Sequence, residues 1–292
     1  MNKFLITLGI ILSLGLGAQI PEGTVLYDRH GERVEWDQLI NDLEKSQYIL
    51  FGELHGTRAC HEMEVYLART LHQRRGDKLV LGGEMWEADQ QLLANEFTSG
   101  KITAKQYKAD ARVWSNFESD YLPFMTIAQE KNLRFIATNI PRRYASVVYH
   151  QGSEALLNFS KDAKSLMPKL PFTFDAEMPI YQEISGAAGG HGSPNLAAAQ
   201  AFKDATMARY ILENTGKKET FFHINGEYHS REFQGIYQYL RVGNKKAQIR
   251  SISCVFQEKT SRLHPDNLDR ADYILVIKSP EKEDNDQAEG SH

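Results

Sequence analysis

Short apolar runs that stop at glycine and a charged residue recur along this chain, and each is followed by a stretch with helical spacing. Tyr48 to Phe51 is the first, four residues suited to a buried strand, ended by Gly52 and followed at once by Glu53 and His55. From Arg58 the pattern changes, with Met63, Leu67 and Leu71 four apart, so the spacing predicts a helix over 58–75 that Gly76-Asp77 breaks. Lys78 to Gly83 predicts a second buried strand, ended by Glu84. Glu87 to Phe97, Ala104 to Arg112 and Tyr121 to Lys131 are helical in pattern, and Leu133 to Thr138 predicts a third strand. That strand ends in Asn139-Ile140-Pro141-Arg142-Arg143, with Pro141 suited to a first helical turn. Ahead of these elements, Thr24 to Asp28 and Glu32 to Trp36 flank Arg29-His30-Gly31 and predict a β-hairpin. Asp37 is suited to cap a helix through Leu43.

Between about Gly152 and Asn195 prolines and glycines accumulate, with an isolated helical piece at Glu154 to Leu166, and the stretch reads as an excursion from the sheet, a lid or small helical subdomain. Regular patterning returns with a long helix over Leu196 to Asn214, then a fourth strand, Glu219 to Asn225, running into Gly226-Glu227-Tyr228-His229. A helix at Glu232 to Leu240 and strands at Gln248 to Val255 and Asp272 to Ile277 complete the set. Strands alternating with helices predict an α/β fold, a mostly parallel central sheet flanked by helices. One domain over 19–278 accounts for the pattern, and the acidic stretch 279–292 reads as a disordered tail.

Composition changes this picture in two respects. Lys3, the apolar run Phe4 to Leu16 and the small residues Gly17-Ala18 read as a signal peptide over 1–18, so the protein is expected to be exported, periplasmic or associated with the outer membrane. No cysteine lies near that cleavage site, which leaves a lipid anchor unsupported. A formal net charge of −4 and the lack of a dense basic run argue against a nucleic-acid partner. The two cysteines, Cys60 and Cys254, admit either one disulfide or two buried thiols.

The candidate chemistry lies at the strand ends. In a parallel sheet the turns after the strands emerge at one edge, where ligands bind. Glu53 and His55, Glu84, Asn139 with Arg142, and Glu227 with His229 would meet there. Two histidines and two or more carboxylates form a ligand set for Mn, Co or Zn, and a metal so held could activate water for hydrolysis. His61 would stand behind that set as a supporting group. Each residue also has a structural reading. Glu53 and His55 can brace a helix start, Glu84 can cap a helix, Arg142 and Arg143 can be a solvated helix start, and His223 sits in an apolar run as a core histidine. No Gly-rich phosphate loop and no Gly-x-Ser-x-Gly elbow occurs, which removes the best support for nucleotide binding or a serine hydrolase.

Taken in order, Gly52-Glu53-Leu54-His55, Gly82-Gly83-Glu84-Met85, Ala137-Thr138-Asn139-Ile140-Pro141-Arg142, the helix stretch Gln200 to Ala208 and Gly226-Glu227-Tyr228-His229 resemble the ChaN family. These are haem-binding uptake proteins of the Tiki superfamily, to which erythromycin esterases are more distantly similar. The match runs from about Leu26 to Ile277. It implies an α/β fold with a helical lid over about 152–195, and haem as ligand, held between the subunits of a homodimer with a tyrosine on iron. In uptake the further partner would be an outer-membrane receptor. Within the lid, Tyr181 and then His191 are the candidates for the haem ligand, with Asn139 and Arg142 beside it. The Tiki branch implies instead a metal-dependent hydrolase, in which Glu53, His55, Glu84 and His229 would be both the metal ligands and the catalytic set.

Overall fold

The computed structural model describes residues 20–187 and 193–279. The expected leader at 1–18, His191, and all but the first residue of the acidic tail lie outside them. Seven strands form one sheet in the order β1-β7-β6-β2-β5-β3-β4. They are β1 (Thr24–Asp28), β2 (Tyr48–Glu53), β3 (Leu79–Glu87), β4 (Arg134–Asn139), β5 (Thr220–Gly226), β6 (Ile249–Gln257) and β7 (Tyr273–Lys278). Every neighbouring pair is parallel except β1 with β7. The helices before the lid are α1 (Trp36–Leu43), α2 (Arg58–Arg75), α3 (Gln91–Thr98), α4 (Ala104–Asp110), α5 (Leu122–Lys131) and α6 (Arg142–Gln151). Those of the lid and after it are α7 (Lys161–Ser165), α8 (Pro179–Ala187), α9 (Leu196–Glu213) and α10 (Ile236–Gly243).

Alternation along the central strands divides the core in two. Ile49 and Phe51 of β2 join Phe222 of β5 in a core completed by Met63 and Leu67 of α2 and Phe124 of α5. Tyr48 and Leu50 point the other way, to Met207 and Ile211 of α9 and Leu240 of α10. Adjacent strands β2 and β5 are thus followed by helices on opposite faces. Such a divergence opens a crevice at the carboxyl edge of an α/β sheet. The lid packs its Leu156, Met167, Phe172 and Tyr181 on Val148 of α6 and Phe202 of α9.

Several local expectations are corrected. The hairpin is reduced to its tip: Asp28 N donates to Glu32 O at 2.8 Å and Val34 N to Leu26 O at 3.0 Å around a single bridge, Tyr27 to Arg33, while β1 pairs along β7, from Thr24 opposite Ile277 to Asp28 opposite Tyr273. An isolated two-stranded ribbon is marginal, whereas the sheet edge buries Leu26 and Tyr27 fully. Asp37 is not a cap. Glu35 holds that position, and Asp37 lies in the first turn, where the positive helix end favours a carboxylate. The strand β3 continues to Glu87, so Glu84 is a strand residue and the following helix begins only at Gln91. The piece Glu154 to Leu166 divides into a 3₁₀ run, Ser153–Asn158, and α7, which Ser160 caps through a hydrogen bond from Ala163 N. Pro141 precedes α6 as its N-cap residue, and α10 starts at Ile236 after Gly235, not at Glu232.

The glycines of β3 set how closely the strands and rings approach. A Cβ on Gly82 would stand 2.5 Å from Ile136 O and 2.8 Å from Phe221 Cζ, inside contact distance of backbone that cannot move alone. Gly82→Ala is therefore expected to destabilise the fold by about 1–3 kcal/mol, the usual cost of overpacking, read as a shift of the urea midpoint at unchanged slope.

Candidate functional site

β2 delivers Glu53 to the carboxyl edge with its side chain on the α2 face, and the turn that follows carries His55 into the crevice. Glu53 is buried, and its Oε1 accepts from Tyr121 OH at 2.8 Å while standing 2.6 Å from His55 Nδ1. Tyr121 closes a single π-helical turn, Phe117–Tyr121, that leads into α5. The His55 ring meets Trp114 edge-on at 4.9 Å between centroids, and its side chain keeps 44 % of its surface exposed. Among the described residues nothing bonds Nε2, which lies over Gly226, where a Cβ would come within 2.6 Å. Hydrogen bonding to Glu53 and the nearby Glu84 charge raise the His55 pKa against the opposing effect of burial.

The other half of the site hangs on His229, on the 3₁₀ turn after β5. Its Nδ1 makes a short contact with Asp204 Oδ1 of α9, and its Nε2 lies 3.1 Å from Glu84 Oε1. Glu84 Oε2 accepts from Gly226 N at 2.8 Å, and Asp204 Oδ2 accepts from Tyr181 OH at 2.8 Å. Burial alone would lower the histidine, but the two carboxylates overcome it and lift its pKa to about 10. Reciprocally, the His229 charge holds Glu84 well below the usual carboxylate range, against burial. The result is a buried imidazolium clamped between two acids.

These groups open on two adjoining lobes that share Glu84, Gln200 and Lys203. One, of about 440 Å³, is lined by His55, Glu84, Tyr228 and His229. The other, of about 510 Å³, is walled by Met85, Trp114, Ile140 and Ala199, with Asn139 and Arg142 at its side. Asn139 Nδ2 donates to Glu84 O at 2.9 Å, and Arg142 pairs with Glu87 through its Nε.

A model of the family described as haem-binding uptake, Tiki superfamily, ChaN, matches residues 39–240. This chain belongs to that family. Among solved structures, one of cofacial haem binding to ChaN of Campylobacter jejuni superposes with a TM-score of 0.68 at 16 % identity, covering 89 % of this chain and 99 % of that one. The type III effector HopBA1 gives 0.47 at 13 % identity, covering 83 % and 91 %. The erythromycin esterase EreC in its open conformation gives 0.47 at 12 %, covering 79 % and 77 %. At such identities the likeness to ChaN is one of fold. No curated protein matches the chain by sequence.

In this ChaN-family chain Glu53, His55, Glu84 and His229 meet at the edge named for them, but not as one open ligand sphere. His229 meets carboxylates at both nitrogens, Asp204 at Nδ1 and Glu84 at Nε2, and Gln200 Nε2 lies 3.0 Å from Nε2. Glu227 is neutralised by Arg270 at 2.8 Å and Arg231 at 3.1 Å, which makes it structural. His223 is the core histidine expected, 2.8 Å from Thr138 Oγ1 and 3.1 Å from Asn225 Oδ1, with burial lowering its pKa to about 4. The structure does not bring Tyr181 to the cavity: it is fully buried and committed to Asp204. Cys60 and Cys254 are buried free thiols. Asp204, Tyr121 and Tyr228 were not anticipated as site residues.

A raised histidine pKa makes stability depend on pH with a definite sign. The His229 contribution is complete below its unfolded value of about 6.5 and is lost as pH rises toward 10. Unfolding free energy measured by urea is therefore expected to fall over that interval and to fall less in His229→Gln. Asp204→Asn, which strips one partner from a buried ion pair, should cost about 3–5 kcal/mol.

Proposed function

We propose that this protein binds haem in the two-lobed cleft, with His55 facing the iron. One observation carries the reading: His55 is half exposed on the cavity while its Nδ1 is held by buried Glu53. A histidine that gives Nδ1–H to a carboxylate keeps its Nε2 lone pair for a metal, with tautomer and ring plane fixed. The rest of the cleft fits the group. Each lobe is within the roughly 300–1,000 Å³ usual for cofactor sites, and Met85, Trp114, Ile140 and Ala199 offer apolar walls. Arg142 and Lys203 stand on the same lobe as cations for the propionates. Haem supplies an iron with axial positions, and the chain supplies its orientation, its charge balance and exclusion of water. The family also suggests a tyrosine on iron. Tyr228 lines the His55 lobe, is 41 % exposed, and is the candidate for that role in place of Tyr181. The family description and the leader-like start around Lys3 support a place in haem or iron uptake outside the cytoplasm.

A second reading, a hydrolase, is favoured by the proximity of two differently poised histidines. His55 backed by Glu53 has the form of a general base, and the His229 imidazolium that of a proton donor or anion stabiliser. In this version the pair works by proton transfer without His229 as a metal ligand.

Titration of the purified chain with haem, followed by absorbance, separates the two. Saturable binding with a Soret shift is expected, weakened at least about tenfold in His55→Ala, the loss of one ligand bond. Tyr181→Phe should leave haem affinity within about twofold and cost roughly 1–2 kcal/mol of stability, since it removes a buried hydrogen bond to Asp204 while Tyr181 itself does not line the cavity. Absence of haem binding, together with ester or peptide turnover that disappears in both His55→Ala and His229→Gln, would favour the hydrolase.

A further inference from the structure

Around the second oxygen of Glu53 lies a cluster of which the two readings use Glu53 alone. Glu53, His61 and Glu64 present one ligand atom each within 4.8 Å of one another, and all three are buried. Glu53 Oε2 and Glu64 Oε1 have no hydrogen-bond partner among the described residues. Two carboxylates that share an interior site with unpaired oxygens are costly unless a counter-charge stands between them. His61 and Glu64, three apart on α2, project together toward the end of β2, which gives the cluster a rigid frame on two elements.

We propose that this cluster is a structural site for one divalent first-row cation, with Glu53, His61 and Glu64 as its ligands. The spacings suit a metal: the contact to Glu64 is a long hydrogen bond and that to Glu53 is longer still. His61 Nδ1 is 3.5 Å from Glu53 Oε2 and 3.3 Å from Glu64 Oε2. Charge-assisted hydrogen bonds close to about 2.7–2.9 Å. Donors held about 2.0–2.2 Å from a tetrahedral ion, in contrast, stand roughly 3.3–3.6 Å apart. The surroundings fit as well. Asp120 Oδ2 lies 3.2 Å from His61 Nε2, on the side from which a carboxylate commonly backs a metal-bound imidazole, although the two are not aligned as a hydrogen bond. The Tyr121 ring packs edge-on against His61 at 5.1 Å between centroids. Two carboxylates and one neutral imidazole balance a dication and suit Mn²⁺ or Zn²⁺. Glu53 would then divide its two oxygens, Oε2 to the cation and Oε1 to His55 and Tyr121. The proposal is independent of whether the cleft holds haem or hydrolyses a substrate.

Because the cluster is enclosed, the cation would enter during folding, and the test follows from that. The full chain is unfolded in guanidinium with EDTA, refolded with Zn²⁺, with Mn²⁺ or with neither, desalted, and assayed for bound metal and for Tm. Retention of about one equivalent, with a raised Tm, is expected for the parent chain and for His229→Gln. Glu64→Gln keeps shape and can still donate a hydrogen bond to Glu53, but should retain at least about tenfold less metal, as should His61→Gln. Refolded parent chain that holds neither ion overturns the proposal without reference to any variant, and points to a proton shared between Glu53 and Glu64. Metal lost equally in His229→Gln also overturns it, by placing the ion in the cleft.

Discussion

A carboxylate with no exposed surface, at the end of the central strand, is the constraint on which this site depends. The neighbouring elements satisfy one of its oxygens: the turn after β2 brings His55 and the start of α5 brings Tyr121 to Oε1, while α2 sets His61 and Glu64 around the other. Burial makes each of these contacts electrostatically strong and makes any missing one expensive. The crevice wall is therefore stiff where a ligand would meet it, since His55 cannot turn without giving up its contact with the buried Glu53.

The second half of the site obeys the same rule with the sign reversed. His229 carries a positive charge inside the protein because Glu84 and Asp204 flank it, and Tyr181 and Gly226 N complete the two acids. Through Tyr181 the lid core is tied to α9, and through Glu84 the same charge network reaches β3. Cleft, lid and sheet thus share one set of buried charges. Arg231 and Arg270 meanwhile hold Glu227 out of that set.

Much of this arrangement was legible in the chain, for a physical reason. A glycine and a charged residue after an apolar run mark the place where a parallel strand leaves the core, so Glu53, His55, Glu84 and His229 could be brought to one edge without any knowledge of distance. Asp204 was harder to read. It lies in the middle of α9 with no punctuation beside it, and its only signal is an acid among buried neighbours such as Ala201, Met207 and Ala208. The same signal, polar residues on a helix face that carries Cys60, Met63 and Leu67, would have drawn attention to His61 and Glu64 together. Tyr181 misled because a tyrosine among apolar lid residues looks the same whether it faces a ligand or the interior. The hairpin is cut short for a comparable reason: local turn residues say nothing of a partner as distant as β7.

The π-helical turn at Phe117–Tyr121 has a consequence for how this fold can diverge. A turn of this kind holds one residue more than an α-helical turn over nearly the same rise, and it is here that Asp120 and Tyr121 are aimed at His61 and Glu53. Removing that residue would let α5 run on regularly and rotate both side chains away, while the sheet and its packing changed little. A single-codon length difference at this turn is thus a means by which related chains could keep the architecture and exchange the interior surroundings of their glutamate.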